Sequence, residues 1–318
     1  MFQLKFEPKE LKFEDYPIGE IKNFVDSFTV AKCELVLNDT SSINCIEELR
    51  SGEIIAGSAD NSIKIWNIKE NLCVGILNDH TDSTDAIQCI AELKNGDVIS
   101  GSTDKSIKIW NMTNKICRGT LTGHTDTVRC VAELKNSEII SGSDDHSIRL
   151  WDIRKCICLG TLNGHTEAVR CITELNSGEV LSGSDDRSIR IWNIQKKICL
   201  HAFSPHNDAV WCIRELRNGE IIVGSDLSIK IWDLKNLICV CTLAGHTDTV
   251  QCIKVLKSGE ILSGSADKTI KIWDLKYQTC VCTLIGHDDS INSIAELTSG
   301  QIISGSADKS IRIWDMDD

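Results

Sequence analysis

Between Val128 and Leu162 apolar and polar residues alternate in four short runs with polar turns between them. VRCVAEL (128–134) places every second side chain on one face, the pattern of a half-buried strand. Lys135-Asn136-Ser137 turn the chain into EIISGS (138–143), and Asp144-Asp145-His146 turn it into SIRLWDI (147–153). Arg154-Lys155 then lead into CICLGTL (156–162). Four short strands joined by tight polar turns predict an antiparallel meander, lettered here A to D in chain order.

The pattern recurs along nearly the whole chain. Trp66, Trp110, Trp151, Trp192, Trp232, Trp273 and Trp314 each close a segment close to S-I-[KR]-[IL]-W-[ND], at spacings of 44, 41, 41, 40, 41 and 41 residues. One four-stranded sheet buries little by itself, whereas seven arranged radially give every sheet two neighbours. The expected fold is therefore all-β: a seven-bladed β-propeller over residues 33–318, preceded by an extension at 1–32.

A ring of blades needs a lock, because an open last sheet leaves an unpaired edge. After Trp314 only Asp315-Met316-Asp317-Asp318 remain, so the seventh unit lacks its fourth strand. CELVLND (33–39) aligns with CLGTLNGH (158–165), matching Cys33 and Leu37 to Cys158 and Leu162. Residues 33–37 are expected to supply that strand. Within 1–32, Ile18, Ile21, Phe24, Val25 and Phe28 are spaced for one face of a short helix, packed on the propeller or free to bind a partner.

Gly-His opens units at Gly123-His124, Gly164-His165, Gly245-His246 and Gly286-His287, followed by an S-G-S-x-D segment and a W-D close. In these features the chain resembles the WD-repeat (WD40) β-propeller family. In each unit a His before strand A is placed to reach an Asp of the B–C turn, with a strand B Ser and the strand C indole extending the chain of hydrogen bonds. The resemblance implies that this tetrad ties each blade together. The matching residues are His80, Ser100, Asp104 and Trp110 in blade 2, and His124, Ser141, Asp145 and Trp151 in blade 3. Blade 4 has His165, Ser182, Asp186 and Trp192; blade 6 has His246, Ser263, Asp267 and Trp273; blade 7 has His287, Ser304, Asp308 and Trp314. Blade 1 departs, with Ala56 for Ser and no preceding His, and blade 5 places Ile222 or Val223 near the Ser position, one residue short before Asp226.

Charge and cysteine content narrow the function. The 318 residues carry a formal charge of −12, which argues against binding nucleic acid or an anionic membrane by bulk charge. No apolar run approaches membrane-span length and the first residues lack a signal-peptide core, so a cytoplasmic or nuclear setting is expected. Most of the 16 cysteines repeat at two positions per unit, one on strand A and one on strand D; they read as small buried hydrophobes in a reducing compartment, without zinc or disulfides. Five copies of one His-Ser-Asp set argue for structure over catalysis, which is needed once. No enzyme activity, metal or cofactor is expected.

Information then lies where the repeats differ. The resemblance places the residue after the first valine or isoleucine of strand A at the channel mouth, on the face of the D–A and B–C loops. Around the ring these are Asn44, Gln88, Arg129, Arg170, Trp211, Gln251 and Asn292. Before the turn Asp stand Ala59, Thr103, Asp144, Asp185, Ser225, Ala266 and Ala307. The arginines, Trp211 and the two aspartates all fall on blades 3 to 5, where the irregular Pro205-His206 also lies; blade 2 adds an insertion in 79–87.

Two readings follow. In one, Arg129 pairs with Asp144 or Asp185 across neighbouring blades and Trp211 plugs the mouth. In the other, a non-enzymatic scaffold or adaptor binds a peptide or folded protein there, Trp211 as anchor and Arg129 and Arg170 taking acidic or phosphorylated groups, with Gln88 and Gln251 beside them. The alternative is a structural subunit, such as a ubiquitin-ligase substrate receptor or ubiquitin binder, using blade rims and residues 1–32. Either way a single, monomeric propeller within a complex is expected.

Overall fold

A computed structural model describes residues 32–80, 85–204 and 206–316. The predicted short helix within 1–32 lies outside the described residues but for Lys32, as do Pro205 and residues 81–84 of the blade 2 insertion. The described chain forms seven four-stranded antiparallel sheets. Blade 3 consists of Val128–Glu133, Ile139–Ser143, Ile148–Asp152 and Ile157–Leu162, within one residue of the strands expected from alternation. The A strands of neighbouring blades touch one another around the ring, so they line the central channel.

Strand B departs from simple alternation because it has no solvent face. All five residues of Ile139–Ser143 are buried, as are their equivalents in five other blades, since neighbouring blades cover both sides. Gly142 shows how close the blades come: a Cβ there would stand 2.6 Å from Val169 Cγ1 of blade 4 and 2.8 Å from Cys130 Sγ. Strand D forms the rim and leaves Ile116, Ile157, Ile198 and Ile238 exposed.

The ring closes with a borrowed strand. Lys32–Asn38 runs antiparallel to Ser310–Asp315, pairing Cys33 with Trp314 and Leu37 with Ile311. Leu37 enters a core shared by blades 7 and 1 that contains Ile43, Ile54, Ile303 and Ile311. Burying such a side chain stabilises by about 2 kcal/mol.

Two further belts stitch blade to blade. On the side of the A–B turns, a glutamate ending strand A accepts a backbone N–H from the preceding blade. Glu92 accepts from Arg50 at 3.0 Å, Glu133 from Lys94 at 2.6 Å, Glu174 from Lys135 at 2.7 Å and Glu215 from Asn176 at 2.7 Å. Glu296 and Glu48 continue the belt from Lys257 and Thr298. Blade 6 has Val255 here, and the Arg217 guanidinium bridges instead to the Lys257 carbonyl at 2.6 Å. Nearer the channel mouth, the strand A thiols of Cys89, Cys130, Cys171, Cys212 and Cys252 point at a backbone carbonyl of the next blade, 3.7–3.9 Å away. Ser293 replaces cysteine in blade 7 and accepts the Ile46 N–H at 3.1 Å.

None of the sixteen cysteines forms a disulfide. Burial pushes Cys171 and Cys252 up to about 12, so these remain protonated at neutral pH. The reading of the cysteines as small buried hydrophobes needs correction: Cys73, Cys158 and Cys239 sit exposed on outer strands, and Cys156 in the turn before one.

The channel mouth as candidate functional site

The structure brings the four tetrad residues together in blades 2, 3, 4, 6 and 7. In blade 3 the His124 Nδ1–H donates to Asp145 at 2.8 Å, while the Ser141 hydroxyl donates to Nε2 at 2.7 Å and accepts the Trp151 indole N–H at 2.8 Å. The chains His80–Ser100–Trp110, His165–Ser182–Trp192, His246–Ser263–Trp273 and His287–Ser304–Trp314 show the same contacts, anchored on Asp104, Asp186, Asp267 and Asp308. Every polar atom is satisfied when the histidine is neutral. Burial opposes the Asp104 charge, but hydrogen bonds from His80 and Ser106 outweigh it and hold the carboxyl at about 2. The five serines are wholly buried, so their hydroxyls meet no substrate.

Blades 1 and 5 solve the same burial problem differently. With Ala56 in the serine position, the Trp66 indole N–H finds no partner among the described residues. Lys64 instead ties Asp39 to Asp60, at 2.6 Å from the latter, and Thr40 adds a 2.7 Å bond to Asp60. In blade 5 the register settles the serine position on Val223, which pairs with Ile213 and Lys230 as Ser141 pairs with Val131 and Arg149. His206 is 5 % exposed, yet neither ring nitrogen nor the Trp232 indole N–H has a hydrogen-bond partner among the described residues. Burial, reinforced by Lys230, pushes His206 down to about 4 against the opposing pull of Asp226 and the Val223 backbone. The same register corrects one assignment: Ser225 follows Gly224 as Ser143 follows Gly142, so it matches that buried serine and not the residue before the turn aspartate.

The mouth is built by a defect repeated around the ring. In six blades the strand A–B register slips at one residue, leaving Asn44, Gln88, Arg129, Arg170, Gln251 and Asn292 as bulges. A bulge bends the strand and re-aims its side chain, here into the channel mouth. In blade 5 strand A begins two residues later, at Cys212, and Trp211 takes the corresponding place. These seven residues together line a cavity of about 260 Å³.

Most of its polar groups are already committed. The Asn44 and Asn292 amides each donate to a carbonyl of the next blade at 2.8 Å. Arg129 grips Asp144 through Nε and Nη2 at 2.6–3.0 Å and donates from Nη1 to Gln88 at 3.0 Å. Arg170 grips Asp185 in the same two-pronged way at 2.8 and 2.5 Å. Both pairs lie within a single blade, not across neighbours, and each aspartate neutralises its arginine. The Arg170 guanidinium also stacks 4.7 Å above the half-buried Trp211 ring. Gln251 makes no hydrogen bond among the described residues and is the uncommitted amide of the ring.

Seven windows, 31–67, 71–111, 115–152, 156–193, 197–233, 237–274 and 278–315, match the family model described as WD domain, G-beta repeat. The chain belongs to the WD-repeat family. Among solved structures, this WD-repeat protein resembles the WD40 β-propeller domain of Doa1, with 22% identity, a TM-score of 0.82, and coverage of 91% of this chain and 98% of that one. That likeness shows the fold. No curated protein matches the sequence. WD-repeat propellers serve in general as protein-interaction scaffolds, and the family match supports that role here.

Proposed function

We propose that the protein is a non-catalytic interaction scaffold that binds a peptide or folded protein over the channel mouth. The observation that carries this reading is the asymmetry of the mouth. Trp211 is the one large apolar side chain among seven converging residues, and Arg170 stacking holds it in place. A rigid aromatic among satisfied polar groups is how interface hot spots are built. Because Asp144 and Asp185 already balance the arginines, a partner offering both donors and acceptors fits better than one relying on negative charge alone. An acidic or phosphorylated group engages by displacing one of those aspartates. Sixteen cysteines, none in a disulfide, support a reducing, cytosolic or nuclear setting for a single monomeric propeller.

The rim supports a second reading, a structural subunit contacted from the side. Leu72, Val74 and Ile76 stand exposed along the outer strand of blade 1, whose edge is unpaired. Affinity capture from the source cell lysate separates the two. Loss of a specific protein with Trp211→Ala but not with Ile76→Glu supports the mouth. The opposite pattern assigns binding to the rim.

A further inference from the structure

The lower channel carries charge that no other element uses. At one register position of strand A stand Glu47, Ala91, Ala132, Thr173, Arg214, Lys254 and Ala295, paired with Ile55, Ile99, Ile140, Leu181, Ile222, Leu262 and Ile303. Five of the seven blades place a neutral or acidic residue here, and blades 5 and 6, side by side, place cations. Arg214 and Lys254 are both exposed although the residues preceding them, Ile213 and Ile253, are buried. Since strand A lines the channel, the surface they expose faces its water.

The Arg214 charge bears on the thiols of Cys130, Cys171, Cys212 and Cys252, in four successive blades. Lys254 feels Arg214 beside it and Glu47 and Glu296 at longer range. Neither cation forms an ion pair within 4 Å among the described residues, and the Arg214 guanidinium donates to its neighbour's carbonyl, Ile213, at 2.8 Å. The mouth arginines present the contrast: each is gripped by its own aspartate. Two adjacent, partly desolvated cations with no carboxylate in contact among the described residues, in a chain of net charge −12, form a site for an anion.

We propose that the lower channel binds a small oxyanion of the phosphate type, held by the Arg214 fork and the Lys254 ammonium. The five N–H donors of arginine match the oxygens of phosphate, and lysine adds a mobile point charge. This site lies on the same channel as the partner-binding mouth but does not depend on it.

The test uses the full chain with inorganic phosphate as probe, against sodium chloride at equal ionic strength. Calorimetry is expected to show one phosphate per chain, and phosphate is expected to raise the unfolding temperature beyond the chloride control. Arg214→Gln and Lys254→Gln should each weaken binding about tenfold or more, while Lys155→Gln, an exposed lysine on the rim, leaves it unchanged. Thr173→Glu supplies a carboxylate beside Arg214 from the adjoining blade. It should raise the unfolding temperature in chloride and remove the phosphate effect. No saturable phosphate binding, or equal binding by the Arg214→Gln/Lys254→Gln double variant, overturns the proposal.

Discussion

Blades 3 and 5 have the same four strands, yet only one has a polar spine. In blade 3 a buried serine links His124 to Trp151 and every donor finds an acceptor. In blade 5 Val223 fills the serine's place, and His206 and Trp232 are buried with orphaned nitrogens. Blade 5 nevertheless keeps its register, because Val223 joins a core with Ile191, Val210, Ile213 and Ile221. The tetrad is thus one solution to filling a blade, and apolar packing is another. The blade that gave up the tetrad is also the one that places Trp211 at the mouth, next to the arginine blades.

This contrast can be broken or sharpened by a graded series. The largest effect sets the scale. Removing residues 32–38 strips the last blade of its outer strand and Leu37 from the core between blades 7 and 1. A loss on the order of 5 kcal/mol or more is expected in denaturant unfolding, far beyond any single tetrad change. A smaller loss would mean that the closing strand is dispensable.

Exchanging the two solutions comes next. Ser141→Val orphans both His124 Nε2 and the Trp151 N–H, at an expected cost of about 2–4 kcal/mol. The reciprocal Val223→Ser gives His206 and Trp232 a hydroxyl and should change stability by about 1 kcal/mol or less, since the lost apolar contact offsets the gained bonds. Equal costs in the two directions would refute the idea that blade 5 has settled on apolar packing.

An effect below that of Ser141→Val is in the pH profile. His206 is held at about 4, below its ordinary 6.5, so the unfolded chain binds a proton there that the folded chain refuses. Stability contributed by this group is lost as pH falls from 6.5 towards about 4. The tetrad aspartates act in a lower window: Asp104 and Asp308, depressed to about 2 from 3.8, lose their contribution as pH falls through that range. Glu47 has the opposite sign, since burial raises it from 4.5 to about 7 and its contribution is lost as pH rises between those values. His206→Phe should therefore remove about 2 kcal/mol of the stability lost between pH 6.5 and 4, measured by denaturant unfolding at each pH. An unchanged slope would place that titration elsewhere.

The fold was legible because its main signal is periodic: a tryptophan every 41 residues or so and an S-G-S segment whose glycine meets the next blade. The mouth residues were legible only as one position per repeat, while the bulge that aims them arises in strand pairing and has no signature in residue type. The choice of partner among side chains at the mouth was harder to read. That Arg129 chooses Asp144 in its own blade, and Arg170 Asp185, depends on how far the bulge turns the side chain. The glutamate belt did leave a trace, a Glu-Leu pair ending strand A in six blades, but its role emerges only when the A–B turn of the preceding blade is in place. The cations at 214 and 254 break no pattern of hydrophobicity, and only the shared register puts them side by side.

The central claim is that the tetrads hold the scaffold while the Trp211 mouth does the binding. Its most direct test is the affinity of the captured partner for Trp211→Ala and for Ser141→Val, with unfolding free energy measured on the same samples. The account predicts that Trp211→Ala weakens binding at least about tenfold with stability changed by less than about 1 kcal/mol, and that Ser141→Val does the reverse. Unchanged affinity in Trp211→Ala, or a loss that merely follows lost stability in both variants, would contradict it.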